Sequence, residues 1–195
     1  MSGKTVEFFF DFGSPTAYLA YTQLPAIAAR TGATIRYRPF LLGGVFKATG
    51  NAAPWVVPAK GPYGLRDMER FAARYGVELV RNPAFPINTL LLMRGAAGYE
   101  GSDRFIPYVD AIYDGMWRHP RNLGDLGELA EVLTKAGFDP AEFQALIEDP
   151  AVKDRLKATT EEAVARGAFG APTFFVGEEM FFGQDRLDFV EEALT

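Results

Sequence analysis

The chain contains no cysteine. Disulfides, thiol nucleophiles and cysteine metal sites are therefore excluded, and so is thiol–disulfide exchange carried by the protein's own sulfur. There is one histidine, His119. Zinc sites normally draw several ligands from cysteine and histidine, so no metal site is expected. Any serine–histidine pair would have to use His119, and no G-x-S-x-G elbow is present to carry the serine. No segment approaches the ~18 apolar residues of a membrane span. Glu7 and Asp11 interrupt the short apolar run near the start, so no signal peptide is expected there. A net charge of −5 gives no general attraction to nucleic acid, and no basic stripe with interleaved aromatics occurs. The default location is the cytoplasm.

What the chain does hold is apolar bulk. Its 195 residues are 48% hydrophobic and include 17 phenylalanines, enough for one compact domain or a core domain with a large insertion. Val6–Phe10 reads as a short buried strand. The next helix runs from about Pro15 to Arg30, where Pro25 implies a kink or a restart and Gly32 an end. Thr34–Arg38 alternates and reads as a second strand, which completes a β-α-β unit. The middle is helical. Leu65, Met68, Ala72 and Tyr75 mark one helix, and Asn88 caps another through about Ala97. Phe105, Val109, Ile112 and Met116 mark a third, and Leu126, Leu129, Leu133 and Ala136 a fourth. Asp139-Pro140-Ala141-Glu142 is a helix-start signature, and Val152, Leu156, Thr159 and Ala163 mark a longer helix closed by Gly167. Asn51–Tyr63, rich in proline and glycine, reads as a structured loop. The last part returns to sheet, with a hairpin of Thr173–Val176 and Met180–Phe182, then a helix opened by Gln184 or Asp185.

Four places carry candidate chemistry. In Phe8-Phe9-Phe10-Asp11-Phe12-Gly13-Ser14-Pro15 an apolar strand runs through a glycine turn to a serine that opens a helix. Ser14 suits the N-cap, and Pro15 the first helical position. The hydroxyl then stands at the positive end of the helix dipole, where an anion is favoured. It serves as a cap, as a donor to a bound thiolate, or as both. In Phe169-Gly170-Ala171-Pro172-Thr173 a small residue precedes proline at the start of a late strand. A cis Ala171–Pro172 bond would aim the N–H and C=O of Ala171 into a cleft, where an extended peptide can pair with them. The alternative is an ordinary proline opening a strand. In Gly183-Gln184-Asp185-Arg186, Asp185 is an N-cap, or it grips a ligand's charged groups together with Gln184. Asn51 and Lys60 are solvated loop residues, or Lys60 supplies a point charge to a ligand carboxylate. Phe12, Tyr18, Phe40, Phe46, Trp55 and Trp117 are core by default, and some of them suit a pocket for a planar substrate. His119, beside Pro120, reads as a surface residue.

The runs FFFDFGSPTAYLA, GGVFKATGNAAPWVVPAKGPYGLRDMERFAARYGV and RGAFGAPTFFVGEEMFFGQDRL together resemble the 2-hydroxychromene-2-carboxylate isomerase family. That family stands with the kappa-class glutathione transferases in the DsbA-like branch of the thioredoxin fold. The resemblance covers nearly the whole chain, with three separated motifs in order. It implies an α/β thioredoxin-like fold, β-α-β … β-β-α, with a large helical insertion. Residues 1–45 and 166–195 would form the discontinuous thioredoxin-like domain, and residues 46–165 the inserted loop and helical domain. It implies glutathione as cofactor, with a serine where thioredoxin-like folds usually carry a redox cysteine.

Carried over by motif, Ser14 would contact and stabilise the glutathione thiolate. Asn51 and Lys60 would bind its carboxylates, Ala171 before cis Pro172 would pair with its cysteinyl backbone, and Gln184 and Asp185 would bind its γ-glutamyl end. Kappa transferases often have serine where Gln184 stands. The implied activity is glutathione-dependent cis-trans isomerisation of 2-hydroxychromene-2-carboxylate, or of a similar aromatic unsaturated 2-oxo acid, by reversible thiolate addition. A kappa-type transferase or peroxidase and a non-catalytic thioredoxin-fold binding module are the alternatives. A homodimer is the family expectation.

Overall fold

The computed structural model describes residues 4–195. Its centre is β1 (Thr5–Phe10). Phe8, Phe9 and Phe10 are fully buried, so β1 is covered on both faces, as a continuous apolar run requires. On one side β1 pairs in parallel with β2 (Thr34–Pro39), and on the other it pairs antiparallel with β3 (Thr173–Val176). An antiparallel β4 (Glu179–Phe182) closes the sheet, giving the order β2-β1-β3-β4. This is the β-α-β … β-β-α order expected from the sequence, with β4 starting one residue earlier.

α1 spans Pro15–Thr31 and ends at Gly32, whose φ of 69° is cheap only for glycine. The helix does not restart at Pro25, and α1 runs on through it without a break. Pro25 is exposed, so water can serve the carbonyl its missing N–H leaves unbonded. α2 (Leu42–Thr49) carried no sequence signal. Gly43 and Gly44 each cost about 1 kcal/mol against alanine in a helix. Tertiary contacts override them: Asp11 Oδ2 accepts from Leu42 N at 2.8 Å and Thr160 Oγ1 from Leu41 N at 2.9 Å.

The 51–63 stretch is not all loop. A 3₁₀ turn covers Pro54–Val56, and α3 (Lys60–Tyr75) begins at Lys60. Pro62 is tolerated because the first-turn positions need no intrahelical N–H partner. α4 spans Leu90–Tyr99, and Asn88 Oδ1 accepts from Leu90 N at 3.0 Å. The single helix expected from Phe105 to Met116 is instead α5 (Phe105–Tyr113) followed by a π-helical turn, Asp114–Arg118. α6 (Leu126–Lys135), α7 (Pro140–Glu148) and α8 (Pro150–Ala165) follow their periodic patterns. A 3₁₀ turn at Gln184–Arg186 precedes α9 (Leu187–Leu194). Neither Gln184 nor Asp185 caps α9: its N-cap position is Arg186, which makes no side-chain cap bond.

The side chains of β1 alternate between two cores. Val6, Phe8 and Phe10 enter a large cluster with α1, α4, α5 and their neighbours. Phe9 enters a smaller one with Phe40, Val45, Ala163, Ala168 and Phe175, on the α8 side. Locking β1 from both faces fixes the turn that follows it, and that turn carries Ser14.

Candidate active site

The turn Asp11–Ser14 is held from several directions. Ser14 N donates to Asp11 O at 3.0 Å. Trp117, from the π-helical turn, donates its Nε1–H to Phe12 O at 2.8 Å, and Phe12 N donates to Met93 Sδ at 3.4 Å. Gly13 allows a close approach: a Cβ there would stand a tight 3.3 Å from both Asp11 Oδ1 and Thr89 Cγ2.

Ser14 is the N-cap of α1. Its Oγ accepts from Ala17 N at 3.1 Å and donates to Ala171 O at 3.0 Å, with Thr16 Oγ1 also 3.0 Å away. The backbone donors of the first turn can be counted. Pro15 has none, Ala17 is taken by Ser14 Oγ, and Tyr18 by Ser14 O. The N–H of Thr16 makes no hydrogen bond among the described residues. It is therefore the donor α1 can offer to an anion beside the Ser14 hydroxyl.

The Ala171–Pro172 bond is cis, as the resemblance implies, and Phe85–Pro86 is a second cis bond with no local signal of its own. The Ala171 carbonyl is not free to pair with a ligand. It accepts from Ser14 Oγ and from Thr16 Oγ1 at 3.2 Å. The Ala171 N–H makes no hydrogen bond among the described residues.

Residues 169–172 gather three of the segments singled out in the sequence. Ser14 holds Ala171 O. Asn51 Nδ2 donates to Phe169 O at 2.8 Å, and Gly183 N donates to Pro172 O at 3.0 Å. Gly183 leads directly into Gln184, which is buried and whose carbonyl accepts from Tyr75 OH at 2.9 Å. Asp185 pairs with Arg186 at 2.7 Å, both half-exposed. Lys60 is exposed in the first turn of α3 and makes no ion pair among the described residues; it is not joined to the 169–172 loop.

Phe12, Tyr18, Phe40 and Trp117 are buried, as expected of core aromatics. Trp55 is 48% exposed and meets Phe85 edge-on at 5.1 Å, and Phe85 meets Trp117 at 5.3 Å. An aromatic column thus runs from the surface to the carbonyl of Phe12. His119 lies at the surface on Asp114, 2.9 Å away. A cavity of about 700 Å³ lies elsewhere, between α1, the α5 end and α6, and none of Ser14, Asn51, Lys60, Ala171 or Gln184 lines it.

Sequence reasoning gave no role to Asp11. It is buried just past β1, and its carboxylate accepts from Gly13 N (2.8 Å), Leu42 N (2.8 Å) and Thr89 Oγ1 (2.7 Å). Burial raises its pKa above the ordinary carboxylate value, against the lowering effect of those three bonds. The available signal was an acid enclosed by phenylalanines in Phe10-Asp11-Phe12.

Comparisons with known proteins show the family of the chain. A family described as the DSBA-like thioredoxin domain matches residues 5–195. The 2-hydroxychromene-2-carboxylate isomerase of Sphingobium xenophagum is 37% identical over 195 residues, covering 98% of each chain. Human glutathione S-transferase kappa 1 is 28% identical, covering 98% of this chain and 91% of its own. A solved structure of 2-hydroxychromene-2-carboxylate isomerase superposes with a TM-score of 0.87 at 31% identity, over 97% of this chain and 94% of that one. The chain belongs to the DsbA-like thioredoxin family and, within it, to the family of the 2-hydroxychromene-2-carboxylate isomerases. Among the described residues no helix is long and apolar enough to cross a membrane.

Proposed function

We propose that this protein is a glutathione-dependent isomerase acting on 2-hydroxychromene-2-carboxylate or a similar aromatic unsaturated 2-oxo acid. The observation that carries the reading is the donor set at one helix end: the Ser14 hydroxyl, the Thr16 N–H and the Ala171 N–H, in a chain that has no sulfur nucleophile of its own. Bound glutathione would supply the nucleophilic sulfur that adds reversibly to the substrate double bond and so frees it to rotate.

The protein's part is to bind, orient and stabilise charge. Ser14 has one hydroxyl hydrogen, now given to Ala171 O. Thr16 also donates to that carbonyl, so Ser14 can turn its hydrogen to an anion while Ala171 O stays satisfied. The α1 N-terminus adds its dipole in the same place. The Ala171 N–H suits the cysteinyl backbone of the tripeptide beside cis Pro172. Asn51 and Lys60 suit its carboxylates, and Gln184 and Asp185 its γ-glutamyl end, with Asp185 sharing its charge with Arg186. Trp55, backed by Phe85, offers an exposed face to a planar substrate. Residues 1–45 with 166–195 as the sheet domain and 46–165 as the helical domain, a homodimer and a cytoplasmic location belong to the same reading.

The test is turnover of 2-hydroxychromene-2-carboxylate with and without glutathione, with products separated by chromatography. Isomerisation that needs glutathione and does not consume it is the expected result. Stoichiometric consumption would favour a kappa-type transferase, the reading that the human relative supports. Glutathione binding without turnover of any electrophile would leave a binding module.

A further inference from the structure

Three oxygens meet where α1 touches the cis-proline loop. Ser14 Oγ lies 3.0 Å from Ala171 O, Thr16 Oγ1 lies 3.2 Å from the same carbonyl, and the two hydroxyl oxygens are 3.0 Å apart. No other donor reaches Ala171 O among the described residues. Each hydroxyl carries one hydrogen, and the carbonyl carries none. The triangle therefore holds two hydrogens, and one of them is enough to keep the carbonyl bonded.

The two hydroxyls are not equivalent. Ser14 is buried, and its Oγ accepts the Ala17 N–H at 3.1 Å. That bond uses a lone pair and leaves the hydrogen free, so the oxygen stays at the helix end whichever way its O–H points. Thr16 Oγ1 accepts from no backbone N–H among the described residues, and its polar contacts are the carbonyl and Ser14. Without the Thr16 hydroxyl, Ser14 would be the one protein donor left to Ala171 O. Turning the Ser14 hydrogen to an anion would then strip that carbonyl, a cost set against the anion.

We propose that the Thr16 side chain is a positioning group on which the acidity of the bound thiol depends: by holding Ala171 O, it releases the one hydrogen of Ser14 to a thiolate at the end of α1. The inference rests on the glutathione reading above. In the free protein the Ser14 hydrogen lies on Ala171 O. When the bound thiol ionises, its proton goes to solvent water and the sulfur keeps the bonding pair. The Ser14 O–H then turns to the sulfur while Thr16 keeps the carbonyl, and Ala171 O is never left without a donor. The Thr16 hydroxyl acts through Ser14 and needs no contact with the ligand.

The test is the ionisation of glutathione bound to Thr16→Val, Thr16→Ala and Thr16→Ser, followed by ultraviolet difference absorbance across pH. Alanine is the best helix former, so a second variant of different shape stands beside valine should that one fail to fold. The expected result is that Thr16→Val and Thr16→Ala raise the pKa of the bound thiol about as far as Ser14→Ala does, and that Thr16→Ser restores it. Added to Ser14→Ala, Thr16→Val should raise it no further, because no serine hydrogen is left to release. A thiol that ionises in Thr16→Val and Thr16→Ala as in the unaltered protein overturns the proposal, and so does a further rise in the Ser14→Ala background. Weaker glutathione binding at an unchanged thiol pKa makes Thr16 a support of the loop alone and overturns it too. If the unaltered protein does not bind glutathione, or binds it with a thiol that titrates as in water, the glutathione reading fails and this proposal with it.

Discussion

Glu7 and Asp11 stand four residues apart, one in β1 and one just past it, and their surroundings differ in kind. Glu7 is held by cations: Arg166 at 2.7 Å, Arg38 at 3.3 Å and Arg36 at 3.7 Å. Arg38 and Arg166 also share Glu162 of α8. Both guanidiniums lie over aromatic rings, Arg38 at 5.2 Å from Phe9 and Arg166 at 3.7 Å from Phe175. Asp11 has only neutral donors. The carboxylate among arginines ties the sheet to α8. The carboxylate among neutral donors has no countercharge against its burial, which raises its pKa, and it ties the Ser14 turn to α2 and α4. The first is a clamp between sheet and helix, and the second a buried anchor for the turn that carries Ser14.

The comparison breaks most visibly at Arg38. Its side chain is 7% exposed, so Arg38→Ala leaves Glu7 short of its most buried partner. The expected loss is about 3 kcal/mol, the lower end for breaking a buried ion pair, because Glu162 is 41% exposed. Urea midpoints measure it. Asp11→Asn comes next. Its amide N–H would oppose either the Leu42 or the Gly13 N–H, and the expected cost is about 1–3 kcal/mol for the unsatisfied donor.

The pH dependence of that cost sharpens the contrast. The folded pKa of Asp11 lies above the ordinary 3.8, so the folded state favours the neutral acid. The stability this brings is present in full below the unfolded pKa and is lost as pH rises through the folded one. The midpoint gap between the unaltered protein and Asp11→Asn should therefore narrow from pH ~4 upward. A gap that widens would contradict the raised pKa. Ser14→Ala should cost least in stability, about 1 kcal/mol for a lost cap. It should still lower isomerase turnover by about tenfold or more, or ~1.4 kcal/mol in the barrier.

Much of the fold was legible because its signals are local. β1 is an unbroken aromatic run, Ser14-Pro15 marks a helix start in two residues, and α6 to α8 repeat apolar residues at helical spacing. α2 was hidden by Gly43-Gly44, and what holds it is Asp11 and Thr160, distant in sequence. The π-helical turn at Asp114–Arg118 keeps the apolar spacing close enough to α to read as one helix. At the site, the cis-proline turn and the serine were legible, whereas the capture of Ala171 O by Ser14 and Thr16 was not. That contact spans 157 residues, and the Thr89–Asp11 bond spans 78. Neither leaves a pattern in any window of the chain.

The most direct measurement is the ionisation of glutathione bound to the protein, followed by ultraviolet difference absorbance across pH and compared with Ser14→Ala. The expected result is a bound thiol that ionises well below the ~8.5 of a free cysteine, and that moves back toward it when the serine hydroxyl is removed. A bound thiol that titrates as it does free in water, or a tripeptide that does not bind, would contradict a site built to hold a borrowed thiolate.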